Sequence, residues 1–239
     1  MRRLVSLIGS DVRNVARDPL LAYLPLIPFL LLLGLRLAIP WLTGLLAPSF
    51  ALEPYYVFIV GFLLLMTPLL VGMVAGFILL DERDDNILAA ISVTPMSKAG
   101  FLLYRLTAPT VLSFLLDILL AAAIGLVPLR LLRLIPPALL ASLEAPMLAL
   151  FMAAFAGNKV EGLVLAKGSG LMFLAPLVLV FLPAGWHLAA GVLPTYWVTR
   201  CFLAIYEPGY GYWISLAAGA GVHGLLLLVL LRRFTRRME

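Results

Sequence analysis

Apolar residues run along this chain in long blocks rather than alternating with polar ones. Six blocks, at 20–40, 57–80, 101–127, 134–156, 169–183 and 211–231, have the character of membrane-crossing helices, for which about 20 mostly apolar residues are needed. The fifth is short, and apolar sequence continues past it to Ala204, interrupted by Pro183, Gly185, Gly191 and Pro194. That pattern predicts a span followed by broken helices that dip into the outer interface and return, because irregular backbone at that depth must pack on protein or face water. Ahead of the first block, residues 3–18 follow a helical period. Leu4, Val5, Ile8, Val12, Val15 and Ala16 share one arc, while Arg2, Arg3, Ser6, Ser10, Arg13, Asn14, Arg17 and Asp18 share the other, with Leu7 and Asp11 as exceptions. Such a helix lies along a membrane surface, as an anchor or as a lever on the first span. The expected fold is all-α and integral to the membrane: one domain over 1–239 with an N-terminal amphipathic interfacial helix, six transmembrane helices, and re-entrant or broken outer helices before the last span.

Composition narrows the classes. Of 239 residues, 64% are apolar and 12% charged, with a mean hydropathy of +1.11. Soluble domains run at about 45–50% and about 25%, and a water-soluble globule of this size could not bury the excess. A soluble enzyme, a disordered regulator and a nucleic-acid partner are thereby excluded, despite a pI near 9.6. The cations report topology instead. With the N-terminus inside, 13 of the 17 fall on the cytoplasmic side, including Arg83, Lys98, Arg105, Lys159, Lys167 and the C-terminal arginines. Arg36, Arg130, Arg133 and Arg200 fall in the outer half, where Trp41, Trp186, Trp197 and Trp213 form an aromatic belt. Both termini are therefore expected on the cytoplasmic side of the cell membrane. The long polar lead-in is unlike a cleaved signal peptide. Cys201 has no partner for a disulfide, and no Cys/His spacing suggests a metal site.

The segment 81–98 carries the functional reading. Asp81, Glu82, Arg83, Asp84 and Asp85 crowd its start, a placement that suits the N-terminus of a short helix. Ile87, Leu88 and Ile91 then make an apolar stripe, and Pro95 ends the helix by pushing Val93-Thr94 out of helical backbone. This acidic cluster, short helix and Thr94-Pro95-Met96-Ser97 turn resemble the permease subunit of type-2 ATP-binding-cassette exporters. The resemblance extends over most of the chain: the basic amphipathic start, six spans, the broken segment with Leu193-Pro194-Thr195-Tyr196-Trp197-Val198-Thr199-Arg200, and the basic C-terminus. Arg17-Asp18-Pro19 and the proline-rich first span look most like small permeases that export fluoroquinolones or other drugs. The resemblance implies that segment 81–98 is a coupling helix seated in a cleft of an ATPase subunit. Glu82, Arg83, Asp84, Asp85, Ile87, Leu88, Ile91, Thr94 and Pro95 would then form the contact surface. Asn86-Ile87 departs from the Gly-Thr-like pair common in that family. It further implies a dimer with itself or a sibling permease, and an amphiphilic drug-like or lipid-like substrate leaving the cytosol. The residues themselves agree on the division of labour: no phosphate-cradling Gly-x-x-x-x-Gly-Lys-Ser/Thr is present. ATP and magnesium would sit on the partner, and this chain would be no enzyme.

Three ionisable residues lie at membrane depth, Arg36, Asp117 and Glu144. Such groups pair or face water, and Arg36 with either acid would serve as an ion pair between helices or as a polar lining of the substrate path. A passive channel or ion-coupled carrier built on Asp117 and Glu144 is the second reading. A remote third is an intramembrane serine protease using Ser169 and His223, weakened by the absence of Gly-x-Ser-Gly. Gly72 with Gly76, and Gly221 and Gly224 in the last block, are small-residue spacings expected to let helices pack closely.

Overall fold

The computed structural model describes residues 2–47, 49–85 and 98–238, all helix and connection, with no strand among them. The expected loop residues Ile87, Leu88, Ile91, Thr94 and Pro95 lie outside the described residues. In chain order the helices are α1 (Arg2–Arg17), α2 (Pro19–Tyr23), α3 (Ile27–Leu46), α4 (Tyr56–Asp84), α5 (Lys98–Ile124), α6 (Leu131–Ser142), α7 (Glu144–Phe155), α8 (Lys159–Gly168), α9 (Leu174–Phe181), α10 (His187–Ala190), α11 (Pro194–Leu203) and α12 (Tyr212–Met238). They make six helical runs long and apolar enough to cross a membrane: Leu21–Leu46, Glu53–Asp84, Gly100–Ile124, Leu131–Phe155, Lys159–Phe181 and Tyr212–Arg237. These are spans one to six, and α10 and α11 form the broken segment before the last.

Hydropathy makes the spans look equivalent, yet they are not. In its most apolar stretch, span four is 78% buried and span two 61%, against 11% for span one and 17% for span six. Two central helices are thus wrapped by the others. Their contact is close because of glycine: a Cβ at Gly72 would stand 2.6 Å from the Ala145 carbonyl oxygen, and one at Gly76 would stand 2.6 Å from the Met152 sulfur. Leu148 and Met152 from α7 then meet Leu69, Phe77 and Leu80 from α4 in one apolar core. The last span behaves differently from expectation. Gly221 and Gly224 have open space around them, and Gly219 makes the close approach instead, against Leu140 and Trp197. Leu225, Leu228 and Val229 continue the outward face of that helix.

Prolines break the spans, and side chains repair the breaks. A proline gives no N–H to the carbonyl four residues earlier. Pro137 so frees the carbonyl of Arg133, which accepts from the Tyr212 hydroxyl at 2.8 Å. Pro176 frees that of Met172, which accepts from Thr195 at 2.6 Å. Span four is also interrupted at Leu143, between α6 and α7. Span five begins at Lys159, ten residues ahead of the apolar block at 169, because Asn158 caps it: the Glu161 N–H donates to the Asn158 side chain at 3.0 Å, and the Gly157 N–H donates to Glu161 at 2.6 Å. A 3-10 turn over Ser169–Phe173 then joins α8 to α9.

Gly72→Ala places a methyl group against backbone that cannot yield. We expect it to lower the melting temperature of the purified protein, by the roughly 1–3 kcal/mol typical of overpacking. Gly221→Ala should leave the melting temperature unchanged.

Candidate functional site

Span two continues unbroken as α4 to Asp84, so Asp81, Glu82 and Asp84 stand at a helix C-terminus. The sequence pattern had suggested the N-terminus of a separate helix. The sign of the helix dipole is therefore unfavourable to these acids, and the surroundings supply cations from two other elements. Arg105 of α5 donates from one guanidinium nitrogen to Glu82 and from another to Asp11 of α1, at 2.7 Å. The Tyr104 hydroxyl donates to the same Asp11 oxygen at 2.7 Å. The guanidinium also lies over the Phe101 and Tyr104 rings, at 5.1 and 5.3 Å from their centroids. Lys159, the first residue of α8, donates to Asp81 at 3.1 Å and to Asp18 at 2.8 Å. One end of span two is thus tied to α1, to span three and to span five.

Arg83 points the other way, into the open C-terminus of α7. It donates to the carbonyls of Ala153, Ala156 and Gly157 at 3.2, 2.7 and 2.9 Å, and pairs with Asp84 at 3.0 Å. Of the contact surface that the family resemblance implies, Glu82 and Arg83 therefore face the protein, held by Arg105 and by carbonyls. Asp84 and Asp85 are exposed.

The intramembrane charges are arranged differently from the expected network. Arg36 donates to the Ala123 carbonyl at the end of α5, capping a helix, and among the described residues it makes no ion pair. Asp117 and Glu144 come together with Thr67 in the middle of the bundle. Glu144 faces His223, its Oε1 3.7 Å from Nε2. The protease reading fails on this geometry: His223 is engaged with Glu144 and the Gly219 carbonyl, while Ser169 donates to the Ala166 carbonyl at 2.6 Å. Asp11, Asp18, Tyr104, Lys159 and Thr67 carried no signal as site residues. Asp11 alone left a trace, as an acid that interrupts the sorting of polar and apolar residues on α1.

A bundle of six spans with a surface helix tied to the charged end of a central span defines a multi-pass membrane protein. The model of the family described as "Fluoroquinolones export permease protein Rv2686c-like" matches residues 11–231, and the chain belongs to that family. It is 33% identical over 238 residues to the fluoroquinolones export permease protein Rv2686c of Mycobacterium tuberculosis strain ATCC 25618 / H37Rv. It is equally similar to the fluoroquinolones export permease protein MT2760 of strain CDC 1551 / Oshkosh, in each case over 98% of this chain and 94% of the relative. No solved structure matches.

Arg105→Ala leaves two acids at the end of span two without their shared cation. The expected loss is about 3–5 kcal/mol, as for a broken buried pair. It should appear as a lower melting temperature and faster proteolysis within α1. Arg105→Lys should recover only part of it, because one ammonium cannot reproduce the forked guanidinium geometry.

Proposed function

We propose that this chain is the membrane-spanning subunit of an ATP-driven exporter, moving drug-like amphiphiles out of the cytosol with a separate ATPase as its motor. The relatives named as fluoroquinolones export permeases support the substrate class and the direction. The observation that carries the motor reading is the clamp at the end of span two. Residues 86–97 follow α4 in the chain; Asp81 and Glu82 in its last turn pair with Lys159 of α8 and Arg105 of α5, cations they share with Asp18 and with Asp11 of α1. A displacement applied to the segment would be shared at once by three spans and the surface helix, rather than absorbed by one loose loop.

In this reading the basic end, with α1, Lys159 and the arginines of α12, lies in the cytosol, following the bias of cationic residues. Asp84, Asp85, Ile87, Leu88, Ile91, Thr94 and Pro95 form the surface for the ATPase, and ATP with magnesium binds that partner. Nucleotide shifts the permease between inward- and outward-open states only by binding the assembly more tightly in one of them. A second permease, identical or a sibling, completes the pathway. The weakly buried spans one and six leave exposed apolar faces for it: Leu30, Leu33 and Leu37 on α3, and Leu225, Leu228 and Val229 on α12. Lipid covers whatever the partner does not.

Affinity purification of the tagged chain from mild detergent tests the proposal. A nucleotide-binding subunit with ATPase activity should co-purify, and Ile87→Asp with Ile91→Asp should remove it while leaving the chain monodisperse. Co-expression of both subunits should lower cellular fluoroquinolone accumulation, and the double variant should abolish that effect. Transport by the purified chain alone in liposomes, without any ATPase, would overturn the reading.

A further inference from the structure

The bundle holds a second polar assembly that the clamp does not use. Thr67 on span two, Asp117 on span three, Glu144 on span four and His223 on span six are each no more than 1% exposed. They lie between about 10 and 20 Å along their helices from the end that carries the tryptophans. Thr67 and Glu144 are the polar neighbours of Asp117, and His223 faces Glu144. Both carboxylate oxygens of Asp117, both of Glu144, the Thr67 hydroxyl and His223 Nε2 have no hydrogen-bond partner. The Ser113 hydroxyl, one turn before Asp117, is in the same condition. Among the described residues, the other buried side-chain atoms without a partner are one each on Asp11, Glu82 and Arg105, in the clamp, so most of them are concentrated here.

Among the described residues, no arginine or lysine answers it. Of the arginines on the packed elements, Arg36 is held by the Ala123 carbonyl, and Arg200 by the Tyr210 carbonyl and the Tyr196 hydroxyl. The other polar groups nearby are also engaged. Ser142 donates to Leu139, Thr195 to Met172, Thr199 to Thr195 and Ser215 to Tyr210. An ionised carboxylate without a partner is too costly in such surroundings to persist. His223 Nδ1 donates to the Gly219 carbonyl at 2.8 Å, which leaves Nε2 as the nitrogen that exchanges a proton with Glu144.

We propose that Asp117, Glu144 and His223, with Thr67, form a proton-binding site in the core of the bundle. One proton from water adds to the Asp117 carboxylate and gives a neutral acid that donates to the Thr67 hydroxyl. A second is shared by Glu144 and His223: it passes from the carboxylic acid to imidazole, giving carboxylate and imidazolium, with no change in net charge. Glu144 is the first residue of α7, just past the break at Leu143, and Pro146 offers no N–H to the Ser142 carbonyl. Loss of the Asp117 proton sets an anion beside Glu144 at this break in span four, so proton occupancy biases the α6–α7 break. The site stands whether or not the chain pairs with an ATPase.

Infrared spectroscopy of the full chain in lipid nanodiscs reads the proton directly. The protonated-carboxyl stretch should be present at neutral pH, where exposed acids are already ionised. It should move on isotopic labelling of aspartate carboxyls, and the aspartate part should vanish in Asp117→Asn. The aspartate-labelling result on the unaltered chain decides the matter even if the variant fails to fold. Absence of a labelled protonated aspartate at neutral pH would overturn the proposal. So would loss of the band on adding sodium at constant pH, which would make the site one for a metal cation.

Discussion

A helix that ends or breaks in apolar surroundings leaves carbonyls that water cannot reach, and most of this structure is organised around answering them. Arginines do much of the work. Arg83 and Arg237 reach the end of α7, Arg36 reaches the end of α5, and Arg130 donates to the Ile205 carbonyl at 2.7 Å just past α11. Tyr212 and Thr195 answer the carbonyls that Pro137 and Pro176 release. Each such bond joins two different elements of the bundle, so satisfying the backbone also ties neighbouring elements together. Apolar packing then fills in around contacts already chosen, since side chains gain little by leaving lipid for one another.

The same economy explains the clamp. Four acids close to the C-terminus of span two oppose its dipole, and a loose arrangement would leave them repelling one another and the helix end. Arg105 and Lys159 each bridge two acids from different elements. The result is a knot of α1, α4, α5 and α8 at the end of span two that precedes residues 86–97 in the chain. The pairs that neutralise the charge also tie these elements together, and under the proposed function they would be the mechanical links. The Asp117–Glu144–His223 cluster is the counterpart: among the described residues, it is where most of the unpartnered buried polar atoms gather.

Much of this was legible beforehand. The number of spans, the surface helix, the broken segment before the last span and the family resemblance all came from local features: block length, helical period, and a motif read in order. The pairings were less accessible. Arg36 looked like a partner for Asp117 because their depths agree, yet depth along a helix says nothing of rotation about it, and Arg36 turns to the Ala123 carbonyl. Asp11 broke the amphipathic pattern of α1 by a single position, too small a signal to name Arg105, 94 positions away. Gly221 and Gly224 met the small-residue spacing, and the helix presents them outward all the same.

By itself the sequence determined that this is an all-helical membrane protein of six spans, because apolar length and the need to satisfy backbone inside each segment leave no other arrangement. It determined, too, that charge collects at one end of span two. Tertiary structure alone decided which spans are central, with span two lying against α7 where Gly72 and Gly76 admit it. It also decided that Glu82 turns inward to Arg105 and that His223 joins the two buried acids. Those outcomes depend on the rotation and packing of helices about their axes, set by the sum of many contacts between distant residues, and no local pattern records that sum.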